Sequence, residues 1–354
     1  NYNKMKKLVF FFAMVFAVSM VMAQNVSVKV QSGQNQTADV EQLGDLNTSY
    51  VTQENKDNVA YVNQINENNW PENTTLSTIV QTGKSNMADV DQEHNGDLEN
   101  RAGVLEAEVY QSGDNNEAIQ RQGPHGQMGT SFALIDQSGN NNDASQHQLK
   151  YGNTAYIYQS GSGNVAMQGQ DAPLIDDEFA SMNYGLIVQS GNNNLATQSQ
   201  YGWSNDAEAH QSGNGNTSIQ DQKNASWVSE AFVYQSGNNN YALQEQLGSL
   251  NSALISQASN GNWAEQNQSS DLRRTSGYDP LNRAEIYQMG GSGNEAFQAQ
   301  TTPGGDIVEN FAWASQDGAN NWVSQTQNGG NNYSTATQTG SGHSATLVQN
   351  QVYP

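Results

Sequence analysis

Residues 153–170 read Asn-Thr-Ala-Tyr-Ile-Tyr-Gln-Ser-Gly-Ser-Gly-Asn-Val-Ala-Met-Gln-Gly-Gln and contain one seven-residue pattern twice. In each half, Asn is followed by Ala two residues later and by Gln six residues later, whereas the residues between them vary. A restricted choice of residue type at every second position is typical of a β-strand with one buried face. A helix would need a period of about 3.6 residues. The stretch therefore predicts two strands joined by a short Gly-rich turn.

The same pattern recurs along nearly the whole chain. Each unit begins with a Gln that is followed eleven residues later by another Gln, with Asn usually at the fifth residue and Ala usually at the seventh. The unit at Gln288 is one residue longer. The thirteen leading glutamines are Gln31, Gln53, Gln81, Gln111, Gln137, Gln159, Gln189, Gln211, Gln235, Gln257, Gln288, Gln316 and Gln338.

Repeated two-strand units with one register can stack, with each unit bonded to the next at a spacing of about 4.8 Å. We therefore expect an all-β fold, a β-solenoid of about 13 stacked two-strand β-arch repeats with cross-β, amyloid-like order. Such a rod would be roughly 60 Å long at that spacing. Ala and the Ile or Val that often stands two residues before the leading Gln would fill the narrow gap between the two sheets.

Amide side chains would line the interior, and a buried amide without a partner costs about 1 to 3 kcal/mol. Equivalent Gln or Asn side chains stacked at strand spacing can satisfy one another as a hydrogen-bonded ladder. The expected self-assembly ladder comprises Gln111, Asn116, Gln122, Gln137, Asn142, Gln148, Asn153, Gln159, Asn164, Gln170, Asn183, Gln189, Asn194, Gln200, Gln235, Asn240, Gln246, Asn251, Gln257, Asn262 and Gln268. The glycines expected to adopt positive φ in the arcs are Gly113, Gly139, Gly161, Gly191, Gly213 and Gly237.

Composition and charge exclude several functional classes. Lys and Arg number 13 against 35 Asp and Glu, so the net charge of -22 argues against a nucleic-acid partner. The chain has no Cys, which excludes disulfides, thiolate zinc sites and a cysteine nucleophile. The five His share no ligand spacing, and no catalytic or phosphate-binding motif is present. We therefore expect neither an enzyme nor a bound metal or cofactor.

The first residues resemble an export signal. Lys4 to Lys7 form a basic segment, and Leu8 to Val18 form a mostly apolar run that ends near Ala23. A membrane anchor is the alternative, but the run is shorter than the roughly 20 apolar residues that span a bilayer. We expect residues 1–23 to be a cleaved signal peptide, residues 24–354 to be the repeat solenoid, and the protein to be secreted and not integral to a membrane.

The repeat resembles the curlin repeat, whose plan is S/N-x5-Q-x4-N-x5-Q. Asn153, Gln159, Asn164 and Gln170 match it, as do the sets Asn183, Gln189, Asn194, Gln200 and Asn251, Gln257, Asn262, Gln268. The resemblance implies a secreted, self-assembling functional amyloid of the bacterial biofilm matrix. It also implies self-association as the main interaction, with an outer-membrane export pore, a nucleator and a periplasmic chaperone as further partners. This chain departs from the family in its many insertions and in repeats that begin directly after the leader.

Two hypotheses follow for the function. A soluble solenoid needs capped ends, and neither Asn25 nor the unit that closes at Gln349 carries a recognisable cap. Open ends favour a fibre subunit that supports biofilm matrix, surface adhesion and cell aggregation. The alternative is a monomeric extracellular β-solenoid adhesin that binds a surface or polysaccharide. Lys29, Leu105 and His343 break the pattern, and a role in slowing the stacking of the ends is one interpretation of them.

Overall fold

The computed structural model describes residues 25–66, 73–94, 103–123, 129–150, 152–171, 181–270, 282–302 and 309–351. These residues form 26 strands and no helix, which confirms the expected all-β class. The strands alternate along the chain between two parallel sheets of 13 strands each. The protein is therefore a β-solenoid of stacked two-strand units, as the two-residue periodicity predicts.

Sheet A contains the odd-numbered strands in chain order. They are β1 (Val26–Gln34), β3 (Asn47–Lys56), β5 (Thr74–Lys84), β7 (Gly103–Asp114), β9 (Gly129–Asn140), β11 (Thr154–Ser162), β13 (Tyr184–Asn192), β15 (Asp206–Asn214), β17 (Glu230–Asn238), β19 (Asn251–Gln257), β21 (Asn282–Gly290), β23 (Asn310–Gly318) and β25 (Asn332–Thr339).

Sheet B contains the even-numbered strands, again in chain order. They are β2 (Thr37–Gly44), β4 (Val59–Asn66), β6 (Met87–His94), β8 (Glu117–Gln122), β10 (Asp143–Gln148), β12 (Val165–Asp171), β14 (Leu195–Trp203), β16 (Thr217–Trp227), β18 (Tyr241–Leu247), β20 (Trp263–Ser270), β22 (Glu295–Thr302), β24 (Trp322–Asn328) and β26 (Ser344–Asn350). We call each pair of consecutive strands a rung, so that β1 and β2 form rung 1 and β25 and β26 form rung 13.

The register is constant from one rung to the next except for one shift between β14 and β16, after Gln200. Each leading Gln lies beside the leading Gln of the neighbouring rung, as Gln159 does beside Gln137 and Gln189. Sequence insertions leave this register intact, because β11 and β13 pair directly although the segment 172–180 lies between them outside the described residues. Equivalent side chains are therefore superposed along the stack, which is the condition for ladders.

The chain reverses between the two strands of a rung through two residues with positive φ, except in rung 10, where only Gly261 has one. The six expected arc glycines have φ between +98° and +105°. A Cβ on Gly139 would lie 2.0 Å from the carbonyl oxygen of Gly161 in the next rung, so stacking as well as the dihedral angle requires glycine there. Two residues further on, Asn141 and its equivalents adopt φ near +55°, a left-handed conformation that Asn tolerates.

The core lies between the two sheets and is narrow. Inward-facing Ala, Val and Ile side chains form two apolar clusters along the rod, one that extends to Ala209 and one that begins at Val233. Ile135, Ile157 and Ile187 are fully buried beside the alanines of sheet B. The inward positions on either side of this apolar line carry Gln and Asn, so the fold depends on how these amides are satisfied.

Candidate functional site

Two glutamine columns run through the stack from rung 1 to rung 13. The leading column consists of the thirteen leading glutamines, and the closing column consists of the Gln that ends each unit, from Gln42 to Gln349. Within each column the Nε2 group donates to the Oε1 of the next rung, at 2.8 Å from Gln137 to Gln159 and 2.9 Å from Gln148 to Gln170. The amides thus point in one direction along the axis, towards the C-terminal rung.

The glutamines are also anchored across the interior. The Nε2 of Gln159 donates to the carbonyl oxygen of Asp143 in sheet B at 3.0 Å, and that of Gln170 donates to Thr154 in sheet A at 3.0 Å. Each amide therefore joins successive rungs and also links the two sheets. The expected ladder glutamines in both columns are at most 2 % exposed. The loss of one glutamine would therefore leave the buried amide of its neighbour without a hydrogen-bond partner.

Asparagine columns lie at the two bends of most rungs, and their Oδ1 atoms accept hydrogen bonds from the following rung. The Oδ1 of Asn142 accepts the backbone N–H of Asn164 at 3.1 Å, and the Oδ1 of Asn164 accepts that of Asn194 at 3.0 Å. At the other bend, the Oδ1 of Asn153 accepts the N–H of Asn183 at 3.1 Å. Asn side chains therefore satisfy backbone donors of the following rung where the strands bend. Leu105, fully buried, occupies this second column in rung 4 in place of Asn.

A third glutamine column, which we call the middle column, stands two residues before the closing Gln. It runs without interruption from Gln120 to Gln325, with Nε2 to Oε1 distances such as 3.0 Å from Gln120 to Gln146. The first three rungs carry Val40, Val62 and Val90 at this position, and rung 13 carries Leu347. The buried Oε1 of Gln120, beside Val90, has no hydrogen-bond partner. The middle column is thus closed by aliphatic residues at both ends of the described stack.

The N-terminal rung is an open edge within the described residues. Gln31 and Lys29 lie in line with the buried Gln53 and Val51, yet both are exposed. The Nζ of Lys29 reaches across the interior and donates to the carbonyl oxygen of Ala38 at 3.2 Å. None of the described ladder amides donates to the Oε1 of Gln31 or to that of Gln42, so rung 1 presents acceptors.

In the described part of the chain, no further rung lies beside rung 13. Gln349 accepts from Gln327 at 3.0 Å, and its Nε2 donates to the carbonyl oxygen of Tyr333 at 2.7 Å. In an interior rung the same Nε2 would also donate to a following Gln. Leu347 and Ala345 are only partly buried and pack against the second apolar cluster. Rung 13 therefore presents amide donors and apolar side chains at its free edge.

The outer face of sheet A carries aromatic and acidic side chains. Around rungs 8 and 9, the ring of His210 stacks on that of Tyr234 with centroids 5.1 Å apart, and Glu208 lies 3.4 Å from both side chains. Burial, followed by the nearby charges of Glu208 and Glu230, raises the pKa of Asp206 to about 6. Carboxylates at one-rung spacing therefore repel one another here.

An open groove of about 330 Å³ lies beside this cluster on sheet A. Tyr234, His210 and Val188 line one side, and Ser190, Ser212 and Ser236 line the other. Among the described residues, no group of three or more His, Asp or Glu is placed to hold a metal ion. Over the same residues, no helix has the length and apolar character that crossing a bilayer requires.

Two elements of this arrangement were not predicted from the sequence. The second residue with positive φ, at Asn141 and its equivalents, is signalled only by a preference for Asn, Asp, Ser or Gly four residues after the leading Gln. The aliphatic closure of the middle column is visible in the sequence as Val40, Val62, Val90 and Leu347, but only the register shows that these residues form one line with the glutamines.

Comparison with known proteins identifies the repeat. The curlin associated repeat matches residues 105–145 and 229–258, which include rungs 4 and 9 with their ladder residues. A search of the curated proteins finds no match to the chain. The matched segments have the Gln, Asn, Gly and Ala positions from which the ladders and arcs described above are built. The chain therefore carries curlin associated repeats at these two regions, within a β-solenoid.

Proposed function

We propose that this protein is the structural subunit of a secreted, self-assembling curli-type amyloid fibre that contributes to biofilm matrix, surface adhesion and cell aggregation. The observation that carries the proposal is the stack of matched glutamine columns, whose outermost described rungs have no further described rung beside them. The glutamine columns reach both ends with unused acceptors at Gln31 and Gln42 and extendable donors at Gln338 and Gln349. An edge with unpaired strand groups and matched side-chain positions is a template for a further chain.

Export is part of the same proposal. Residues 1–23 lie outside the described residues, and we propose that they direct secretion and are removed before Gln24. The outer-membrane pore, the nucleator and the periplasmic chaperone are partners suggested by the curlin repeat. The self-assembly role of the ladder residues and of the arc glycines is likewise proposed, with their hydrogen bonds and dihedral angles as support.

The test starts from a denatured chain of residues 24–354, which contains all the described strands. On dilution into buffer we expect a lag, thioflavin-positive fibres, and loss of the lag when preformed fibres are added as seeds. The matched control is the same chain with Gln159, Gln189 and Gln211 replaced by Glu, because stacked carboxylates in the leading column would repel. A wild-type chain that folds and remains monomeric under all these conditions would contradict the proposal.

That outcome would favour a second candidate function, a monomeric extracellular adhesin that binds a surface or polysaccharide. The sheet A groove supports this candidate, because stacked aromatic rings next to a line of hydroxyl groups suit the faces and edges of sugar rings. A folded monomer that is retained on an immobilised neutral polysaccharide, with retention lost in Tyr234→Ala, would support it.

A further inference from the structure

We propose that Tyr156 and Tyr184 form an oxidative cross-linking site, at which a haem peroxidase with hydrogen peroxide as the oxidant joins the two phenol rings as dityrosine. The new bond would tie rung 6 to rung 7 on the outer face of sheet A. This inference goes beyond the proposed function and does not depend on it, because both rings belong to one chain.

The first argument is the contact between the two rings. The ring centroids of Tyr156 and Tyr184 lie 5.9 Å apart, and the ring planes are inclined to each other by 53°. Tyr156 on β11 pairs with Leu186 on β13, so Tyr184 is its diagonal neighbour on the same face of sheet A. Dityrosine forms between the carbons next to each hydroxyl-bearing carbon, which lie on the ring edges. An inclined pair in contact turns a ring edge towards its neighbour, as this bond requires.

The second argument is the packing that holds Tyr156 in place. The ring of Phe132 on β9 lies on its other side, with centroids 5.4 Å apart. Leu134 precedes Tyr156 in the same outward column and is only 9 % exposed, so a small apolar cluster covers this part of the outer face. Phe132 has no hydroxyl group and forms no phenoxyl radical. It therefore restricts the ring of Tyr156 without competing for the coupling reaction.

The third argument is a path for electrons from the pair to the surface. The ring of Tyr158 is nearly parallel to that of Tyr156, at 8°, with centroids 6.3 Å apart, and Tyr158 is 37 % exposed. Tyr156 and Tyr184 are partly buried. An oxidant at the surface can therefore take an electron from Tyr158, which then recovers one from Tyr156. Among the described tyrosines, these three are the ones whose rings contact another tyrosine ring.

Coupling within β11 itself is disfavoured. Tyr156 and Tyr158 stand two residues apart on one extended strand, where side chains project roughly perpendicular to the sheet. Their near-parallel rings turn faces and not edges towards each other. Tyr158 is therefore assigned the entry of oxidation, and Tyr184 the partner of Tyr156 in the bond.

The reaction removes two electrons and two protons from the pair. Each phenol loses one electron and its hydroxyl proton and becomes a phenoxyl radical. The two radicals combine through their ortho carbons, and the hydrogen on each of these carbons then moves to the oxygen and restores the hydroxyl group. Hydrogen peroxide takes up the two electrons and two protons at the peroxidase haem and leaves as two molecules of water. The chain gains one carbon–carbon bond and loses two hydrogen atoms.

Carboxylates beside the pair can accept the phenolic protons. Asp206 lies directly next to Tyr184 on the neighbouring strand. Burial, followed by the charges of Glu208 and Asp206, raises the pKa of Tyr184, so its hydroxyl group is protonated at neutral pH and must lose the proton as the electron leaves. The pKa of Asp206 is about 6, and a base with a pKa near the working pH is well suited to proton transfer.

The cross-link would close a loop that contains β12 and the segment 172–180, which lies outside the described residues. A covalent tie of this kind stabilises a fold mainly by restricting the unfolded chain, as a disulfide does. The cross-linked chain should therefore unfold at a higher urea concentration than the untreated chain. An unchanged midpoint in purified cross-linked protein would count against a bond between the two rungs.

The test treats the folded chain of residues 24–354 with a haem peroxidase and hydrogen peroxide at low protein concentration, which suppresses coupling between chains. We expect dityrosine fluorescence and an intact chain that has lost two hydrogen atoms. Mass spectrometry of a protease digest should find the peptides of Tyr156 and Tyr184 joined to each other. In urea-denatured chain treated identically, the share of this pair among the cross-links should fall several-fold, because the rings are no longer held together.

Phenylalanine variants separate the roles of the three tyrosines and keep the ring packing. Tyr156→Phe and Tyr184→Phe should each abolish this cross-link, and circular dichroism verifies that both variants fold. Tyr158→Phe should slow the coupling several-fold and leave the product unchanged. The matched control is Tyr287→Phe, in the same outward column as Tyr158, which should change neither the rate nor the product.

A product that joins other tyrosines, or a yield of the pair that is no higher in the folded than in the denatured chain, would overturn the proposal. Equal coupling rates in Tyr158→Phe and in the wild type would overturn the assigned path of oxidation. Fibre formation without the cross-link in peroxidase-treated protein would contradict this site alone. A chain that cross-links as expected but never assembles would support this site and contradict the proposed function.

Discussion

The interior rungs and the end rungs have nearly the same sequence plan and differ in what stands next to them. Gln159 in rung 6 is 2 % exposed and hydrogen-bonded on both sides along the axis, whereas Gln349 in rung 13 has a neighbour on one side only. Gly139 and Gly340 have almost identical φ, at +100° and +102°, but only Gly139 has the backbone of a following rung against it. The comparison shows that a residue's contribution here depends on stacking more than on its own conformation.

The largest expected loss of stability is at Gly139, and it should exceed the loss at the equivalent glycine, Gly340. Gly139→Ala would place a Cβ 2.0 Å from the carbonyl oxygen of Gly161, so the backbone must shift in addition to the strain of a positive φ. We expect a loss of about 3 kcal/mol or more in the free energy of unfolding. Gly340→Ala, whose nearest neighbour is the His343 side chain at 3.1 Å, should cost only about 1 to 2 kcal/mol.

Urea unfolding of freshly prepared monomer measures both changes. Equal losses in Gly139→Ala and Gly340→Ala would show that the dihedral angle alone accounts for the glycine requirement.

A smaller difference in the free energy of unfolding is expected between substitutions of an interior and of a terminal glutamine. Gln159→Leu removes the acceptor of Gln137 and the donors to Gln189 and Asp143, which leaves buried polar groups unpaired. We expect a loss of about 2 kcal/mol, compared with less than about 1 kcal/mol for Gln349→Leu, whose neighbours can bond to water. The midpoint of chemical unfolding checks this difference, and similar shifts in both variants would contradict the role assigned to stacking.

The smallest effect concerns the acidic face of rungs 8 and 9 and depends on pH. The pKa of Asp206 rises from 3.8 to about 6, mainly through burial and then through Glu208 and Glu230. The folded state therefore holds the proton more tightly than the unfolded state. The stability that this provides is fully present below pH 3.8 and is lost as the pH rises through about 6.

Asp206→Asn should consequently raise the free energy of unfolding relative to wild type above pH 6. Solvent screening of this partly exposed group limits the gain to about 1 kcal/mol. Thermal unfolding of both proteins at pH 4 and pH 7.5 measures it, and the pH 4 pair is the internal control. A gain of the same size at both pH values would show that the removed charge is not the cause.

Much of the site could be predicted because the ladders arise from period and register. Equal spacing of Gln111, Asn116 and Gln122 with their equivalents predicts superposed amides, and a stack that buries them must pair them. The direction in which the amides donate could not be predicted, because either orientation satisfies the same count of donors and acceptors. The second residue with positive φ was not predicted because it is Asn141 and not glycine, and glycine is the residue that adopts positive φ without steric cost.

The sequence by itself determined the two-residue alternation, the two-strand unit and the constant register, because side-chain burial on one strand face is a local pattern repeated many times. Only the tertiary structure decided which residues stand at a free edge, because exposure depends on the presence of a neighbouring rung. Val40, Val62, Val90 and Leu347 stand far apart in the sequence and form the two ends of one column when the strands are stacked. Rung 1 and rung 13 thus differ because the stack has a direction. The glutamine amides all donate towards rung 13, and composition alone does not define that direction.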